Sequence, residues 1–200
     1  QQNYVQIIRS LAATYNIDTS RIYAISLAGC TNPMYNTFLA NPNLFAAQIT
    51  TAYEPYHVFG DAKLGEDNYA RIMDDMPTWL FAGLTDGSGV GCLGENDTRL
   101  KGERLRDIGE VMIRRGYKID IAYGRNGELM WNGLLRGLDA EAVARAQIDR
   151  ANAAGAKHLI TLYIPGTILQ TMHWSWNATY SNAEVRSWLF AQRNDNPALR

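Results

Sequence analysis

An α/β fold, with a mostly parallel sheet covered by helices on both faces, is the architecture this sequence predicts. Three observations lead there. Short strands alternate with amphipathic helices along the chain, which implies parallel crossovers. The helices stop at turn residues: Asn16-Ile17-Asp18, Asn41-Pro42-Asn43, Gly116 and Gly155. The 200 residues fit one domain with a real core.

The elements follow in order. Tyr4–Tyr15 carries Val5, Ile8, Leu11 and Ala12 at helical spacing. Arg21–Ile25 reads as a buried strand, Asn32–Leu39 as a helix and Ala46–Thr51 as a second strand. Pro77-Thr78-Trp79-Leu80-Phe81-Ala82 is a third strand. Arg99–Arg115 is an amphipathic helix, Lys118–Tyr123 a fourth strand and Asp139–Ala154 a helix. His158–Ile164 is a fifth strand, and Ala183–Arg193 the last helix. Tyr53–Asn68, Thr85–Asp97 and Gly124–Gly137 read as irregular, and loops of that length usually carry function or lids. The stretch 124–155 is long for a link before the last strand and is expected to form an inserted cap.

Composition excludes several classes. Hydrophobic residues make up 46% of the chain and charged residues 20%, with a net charge of −1. That balance gives no broad attraction to nucleic acid or anionic lipid. No apolar run is long enough to span a membrane. Cys30 and Cys92 match neither a metal finger nor a disulfide framework. Nothing calls for a cofactor or a metal ion; Glu95, Asn96 and Asp97 read as solvated rather than as a calcium site. Gly87-Ser88-Gly89-Val90-Gly91-Cys92 lacks the third glycine and the strand-to-helix setting of a dinucleotide fingerprint. Asn96-Asp97-Thr98 and Asn177-Ala178-Thr179 match a glycosylation pattern that is common by chance. The opening QQNYVQIIRS is neither a secretory signal nor a starting methionine. The compartment is weakly constrained, with secretion slightly favoured.

The informative segment is Ser26-Leu27-Ala28-Gly29-Cys30, between the first strand and a helix. Strand, tight turn of small residues and helix is the setting of a nucleophile elbow. Small neighbours are a steric need there. The turn lifts its central side chain above the sheet and aims the helix amino terminus at it.

Arg21-Ile22-Tyr23-Ala24-Ile25-Ser26-Leu27-Ala28-Gly29-Cys30 resembles the R-I-Y-V-T-G-x-S-x-G of polyhydroxybutyrate-depolymerase-like esterases and peptidase-like α/β-hydrolases. Asn41-Pro42-Asn43-Leu44-Phe45-Ala46-Ala47 is similar to that family's P-D-L-F-A-A at the matching distance. In this register Ala28 takes the place of the nucleophilic serine, and Cys30 the last, inward-facing small position. The rival register makes Ser26 the nucleophile; Pro42 and Phe45 argue against it.

The resemblance implies the remaining parts. Gly83-Leu84-Thr85-Asp86 looks like the family's H-G-x-x-D, with Ala82 where a histidine is common. It implies Asp86 as the acid that orients the histidine; Asp75 precedes the strand, at the wrong edge. Thr171-Met172-His173-Trp174-Ser175-Trp176, followed by Tyr180 and Trp188-Leu189-Phe190, resembles the family's closing G-H-D-S-W segment. It implies His173 as general base. His158 reads as structural, and His57 as a possible lining residue. The Gly29 N–H is the implied oxyanion donor. A second donor normally comes from a loop earlier than the helix with which this chain opens. The resemblance therefore implies only the carboxyl-terminal part of the α/β-hydrolase fold, from the helix before the elbow. An upstream segment or a partner chain is expected to supply the rest.

Tyr53, Tyr56, Trp131, Trp174 and Trp176 fall in or beside the loops expected to rim the site, and suggest an aromatic-walled pocket. The expectation is a carboxylic-ester hydrolase for small-molecule esters, disabled at Ala28. A serine peptidase and a natural non-catalytic binding module are the alternatives. The retained acid and base favour engineered removal of the serine, since both would drift once it was lost.

Overall fold

The computed structural model describes residues 2–122, 138–164 and 173–199. Thirteen helices and strands concern the site and its support. They are α1 Gln2–Thr14, β1 Tyr23–Leu27, α2 Thr31–Ala40, β2 Ala47–Thr51, α3 Pro55–Phe59, α4 Ala62–Asp75 and β3 Thr78–Gly83. After these come α5 Lys101–Arg114, β4 Ile119–Ala122, α6 Leu138–Ala154, β5 His158–Tyr163 and α7 Ser175–Ser181, with α8 Ala183–Ala191 closing the fold. Among the described residues the sheet has five strands, all parallel, in the order β1-β2-β3-β5-β4.

Helices cover both faces. Val5, Tyr35, Phe38, Tyr69, Ile72, Leu105 and Ile108 pack with Ala24, Leu80 and Leu162 on one side. On the other, Val143, Ala144, Val185, Trp188 and Leu189 pack with Ile49, Trp79, Phe81 and Leu159. β2, β3 and β5 are buried along their whole length, as expected of parallel strands clad on both faces. His158 begins β5 with Nδ1 3.3 Å from Thr78 Oγ1. Burial first, then the Lys157 charge, pushes its pKa down to about 4, so it is held neutral in the core.

Two sequence expectations need correction. The first strand begins at Tyr23 rather than Arg21, because Thr19–Arg21 forms a 3-10 turn capped by Asp18. The segment Tyr53–Asn68, expected to be irregular, is largely α3 and the first half of α4. Asp61 caps α4 by accepting from the Leu64 N–H at 2.7 Å. Gly65 within it is a packing need: a Cβ there would lie 3.0 Å from the Tyr56 ring and 3.3 Å from the Pro55 carbonyl oxygen. One helix was not anticipated: α7, which forms between the last strand and the last helix. Of the expected cap, residues 138–154 are α6, which packs on β4, β5 and α8; 124–137 lie outside the described residues, and Trp131 with them.

β1 behaves differently from its neighbours. Among the described residues it pairs with β2 on one side and forms an edge of the sheet on the other. Its side chains alternate between buried and exposed, with Ile25 52% and Leu27 36% exposed. The outer face of α1 adds Tyr4, Ile7 and Leu11, and Tyr15 just after it is exposed too. An apolar edge strand with unpaired backbone groups is an adhesive surface. The 200-residue chain is therefore expected to self-associate in sedimentation experiments as concentration rises. Replacing Ile25 and Leu27 together by lysine should reduce that association. Identical monomeric sedimentation of both proteins would show that the edge is not adhesive.

Candidate active site

Parallel strands end together at one edge of the sheet, and the turns that carry Ala28 and Asp86 both leave the sheet there. Leu27 of β1 is in register with Thr51 of β2, Thr51 with Phe81 of β3, and Phe81 with Thr161 of β5. Ala28 follows β1, Ala52 follows β2, Asp86 follows β3, and His173 lies beyond β5. β1 and β3 are two strand spacings apart, about 10 Å, with β2 between them.

Ala28 has φ +43°, left-handed backbone that an L-residue with a Cβ rarely adopts. It opens a 3-10 turn, Ala28–Cys30, which leads directly into α2. A strand, a strained residue and a helix therefore occur in the order that lifts one side chain above the sheet. The Gly29 N–H belongs to this first turn, whose donors have no acceptor within the helix. A Cβ built on Gly29 would meet nothing within 4 Å, so the space beside it is open. Cys30 is exposed rather than facing inward; the turn lies at the open edge of the sheet. Ser26 is buried, within hydrogen-bonding distance of Thr50 Oγ1 at 3.0 Å, and accepts from Thr31 Oγ1 at 3.2 Å. A hydroxyl locked in that chain below the elbow is poorly placed to attack a substrate.

Asp86 and His173 are brought together: Oδ2 lies 2.9 Å from Nδ1. Asp86 is 3% exposed. Burial works to raise its pKa but is outweighed, chiefly by the Lys101 charge and then by hydrogen bonds from Ser88 and His173, so the carboxyl stays below the usual range. An ionised carboxylate can only accept, so Nδ1 carries the proton and Nε2 is the basic nitrogen. The Ser88 N–H donates to the other carboxylate oxygen at 2.8 Å. α7, which follows His173, is tied back to the elbow strand by Tyr180, whose hydroxyl donates to the Ser26 carbonyl at 2.9 Å.

Asp75, the weaker acid candidate, lies at the opposite edge and accepts from the Asn43 N–H at 2.7 Å. A cavity of about 400 Å³ lined by Arg9, Ala12, Tyr15, Ile17 and Leu199 also lies near that amino-terminal edge and shares no residue with the site. Asp97 forms an ion pair with Arg99 at 2.7 Å.

The aromatic residues divide. Trp176 meets the His173 ring edge-on at 5.5 Å, and Trp174 is exposed beside it at 5.9 Å. Tyr53 and Tyr56 are buried and do not form an open rim, because α3 carries their loop into the core. Tyr53 stacks on His57 at 4.3 Å, and the Tyr56 hydroxyl donates to Glu66 at 3.3 Å. Burial first, then the Lys101 and Arg104 charges, pushes the His57 pKa down to about 4.

Beneath these residues is a charged layer that sequence reasoning missed. Lys101 and Arg104 begin α5, yet their side chains are 1% and 0% exposed. Lys101 Nζ is 3.4 Å from Asp86 Oδ2, and Arg104 Nε donates to Glu54 Oε1 at 2.8 Å. Arg104 also donates to the carbonyls of Ser88 at 3.1 Å and Arg99 at 2.5 Å, holding the acid loop. One signal was present. Two cations in the first turn of a helix oppose its macrodipole, and they need carboxylate partners elsewhere. The loop itself depends on glycine at one point: Gly89 has φ +77°, and a Cβ there would lie 2.3 Å from His57 Nδ1.

No protein-family model, curated protein or solved structure matches the chain.

The Arg104–Glu54 pair gives a direct test of this support. Arg104→Met leaves a buried carboxylate without its cation and should lower unfolding free energy by about 3–5 kcal/mol. Adding Glu54→Leu should recover part of that loss in urea denaturation. A single variant as stable as the unmodified protein would show that the pair does not hold the loops.

Proposed function

We propose that this chain carries the site-bearing part of a serine esterase of the α/β-hydrolase type, with alanine at the nucleophile position. The observation that carries this reading is the 2.9 Å contact between buried Asp86 and His173 Nδ1 at the strand ends. The left-handed Ala28 on the turn after β1 supports it. So does the motif resemblance in three separate segments, which follow the chain order nucleophile, acid, histidine.

In this scheme a hydroxyl at position 28 attacks the acyl carbon of an ester. His173 Nε2 takes the hydroxyl proton and returns it to the leaving alcohol. Asp86 holds the ring and stabilises the imidazolium. The Gly29 N–H donates to the developing oxyanion. Water then releases the acyl group by the same proton route. Trp174 and Trp176, beside His173, would border an apolar or ring-bearing substrate group. The same machinery serves a peptidase.

A second reading, a binding module that has kept the pocket without the chemistry, rests on Ala28 itself. A serine codon at this place in the source genome would mark the alanine as engineered.

As it stands, the protein should hydrolyse p-nitrophenyl esters negligibly, since loss of a triad member costs on the order of a million-fold in turnover. Ala28→Ser in the full-length protein should bring measurable turnover and covalent labelling by a fluorophosphonate. Turnover by the unmodified protein that Ser26→Ala abolishes would overturn the assignment of position 28.

A further inference from the structure

The ammonium of Lys101 has no part in the acyl-transfer scheme, yet it occupies the centre of the site's support. Its side chain is 1% exposed, and it stands at a helix amino terminus, where a cation is disfavoured. Burying an ammonium is expensive unless opposite charge and hydrogen bonds compensate. Three acceptors surround Nζ: the Ala52 carbonyl at 2.6 Å, Ser88 Oγ at 2.5 Å and Asp86 Oδ2 at 3.4 Å.

The backbone is shaped to bring these groups together. Ala52, just after β2, has φ +54°. Its N–H donates to the Phe81 carbonyl at 2.8 Å, while its own carbonyl accepts from Lys101. Gly102 lets the first turn of α5 rest on the end of β3, since a Cβ there would lie 2.5 Å from Leu84 Cα. The Lys101 N–H also donates to the Asp86 carbonyl at 2.8 Å. Three segments thus converge on one ammonium: the turn after β2, the acid loop after β3 and the start of α5.

We propose that Lys101 is a positioning residue that keeps Asp86 ionised and fixed, so that the carboxylate holds the His173 ring with its proton on Nδ1. This rests on the reading of Asp86 and His173 as acid and base. Ser88 is the link between them: its Oγ accepts from Lys101 and lies 3.0 Å from His173 Nδ1. It is not a substitute nucleophile. An ammonium and an Nδ1–H already donating to Asp86 cannot take its proton.

The titratable and charged groups around Asp86 are Lys101 from α5, His173 beyond β5 and His57 from α3, with Arg104 and Glu54 behind Lys101. Of the groups that lower the Asp86 pKa, Lys101 acts most strongly.

The test needs no turnover and uses the protein as it exists, with alanine at position 28. Asp86 is titrated through its side-chain carboxyl carbon by NMR, and the His173 Nδ1–H resonance is followed in the same samples. In the unmodified protein the Asp86 midpoint should lie below the ordinary aspartate value of about 3.9. Lys101→Met should raise it by about 1–3 in pH, with earlier loss of the Nδ1–H resonance as pH falls. An unchanged midpoint in Lys101→Met would overturn the proposal. Should that variant not fold, the unmodified protein decides: a midpoint below the ordinary value supports the proposal, and one at or above it overturns it. If the midpoint responds but Ala28→Ser remains inactive in the full-length protein, the positioning role stands and the acyl-transfer reading fails.

Discussion

Two buried cations at the start of one helix hold the carboxyl-terminal edge of this sheet together. Lys101 and Arg104 share the buried face of α5, and each faces a carboxylate from a different loop, Asp86 and Glu54. Removing either partner would leave an uncompensated charge in the core, which costs far more than a surface pair contributes. The turn after β2, the acid loop and α5 are therefore held in one arrangement. Burial alone would favour the neutral form of Asp86, and it is chiefly the adjacent ammonium that outweighs that tendency. The stability of these loops and the charge of the acid have the same source.

On this support the site is assembled from strand ends. Each side chain comes from a different loop, and the parallel register brings those loops to one side. Two alanines adopt left-handed backbone there, Ala28 after β1 and Ala52 after β2. A residue with a Cβ in that region stores strain that surrounding structure has to outweigh, and such strain concentrates at functional turns. At Ala52 the purpose is visible, because its carbonyl accepts from Lys101. At Ala28 the strained residue opens the turn after β1, the position that the proposed function gives to the nucleophile. The same strand is the apolar edge of the described sheet, so the site borders the least covered part of the molecule.

Much of the parallel sheet was legible in the sequence because strands clad on both faces are written as apolar runs. Trp79–Ala82 and Leu159–Tyr163 have no polar face to confuse the reading. The start of β1 was less clear, because Ile22 reads as strand although the backbone leaves the 3-10 turn only there. α4 was hidden by Gly65 and by the charged residues around its apolar positions. That Asp86 and His173 come together could be anticipated, because each lies after a strand. Their distance, and the roles of Ser88, Lys101 and Arg104, could not. Lys101 and Arg104 read as the polar start of an amphipathic helix, and only the close approach at Gly102 turns that start inward.

The proposed function requires that His173, held by Asp86, present Nε2 to the side chain at position 28. A crystal structure of the full-length protein carrying Ala28→Ser tests it most directly. The account predicts that the introduced hydroxyl lies within about 3 Å of Nε2, with Nδ1 still on Asp86 and Lys101 behind it. A His173 ring turned away from the elbow, or an Asp86 carboxylate paired with Lys101 alone, would contradict it.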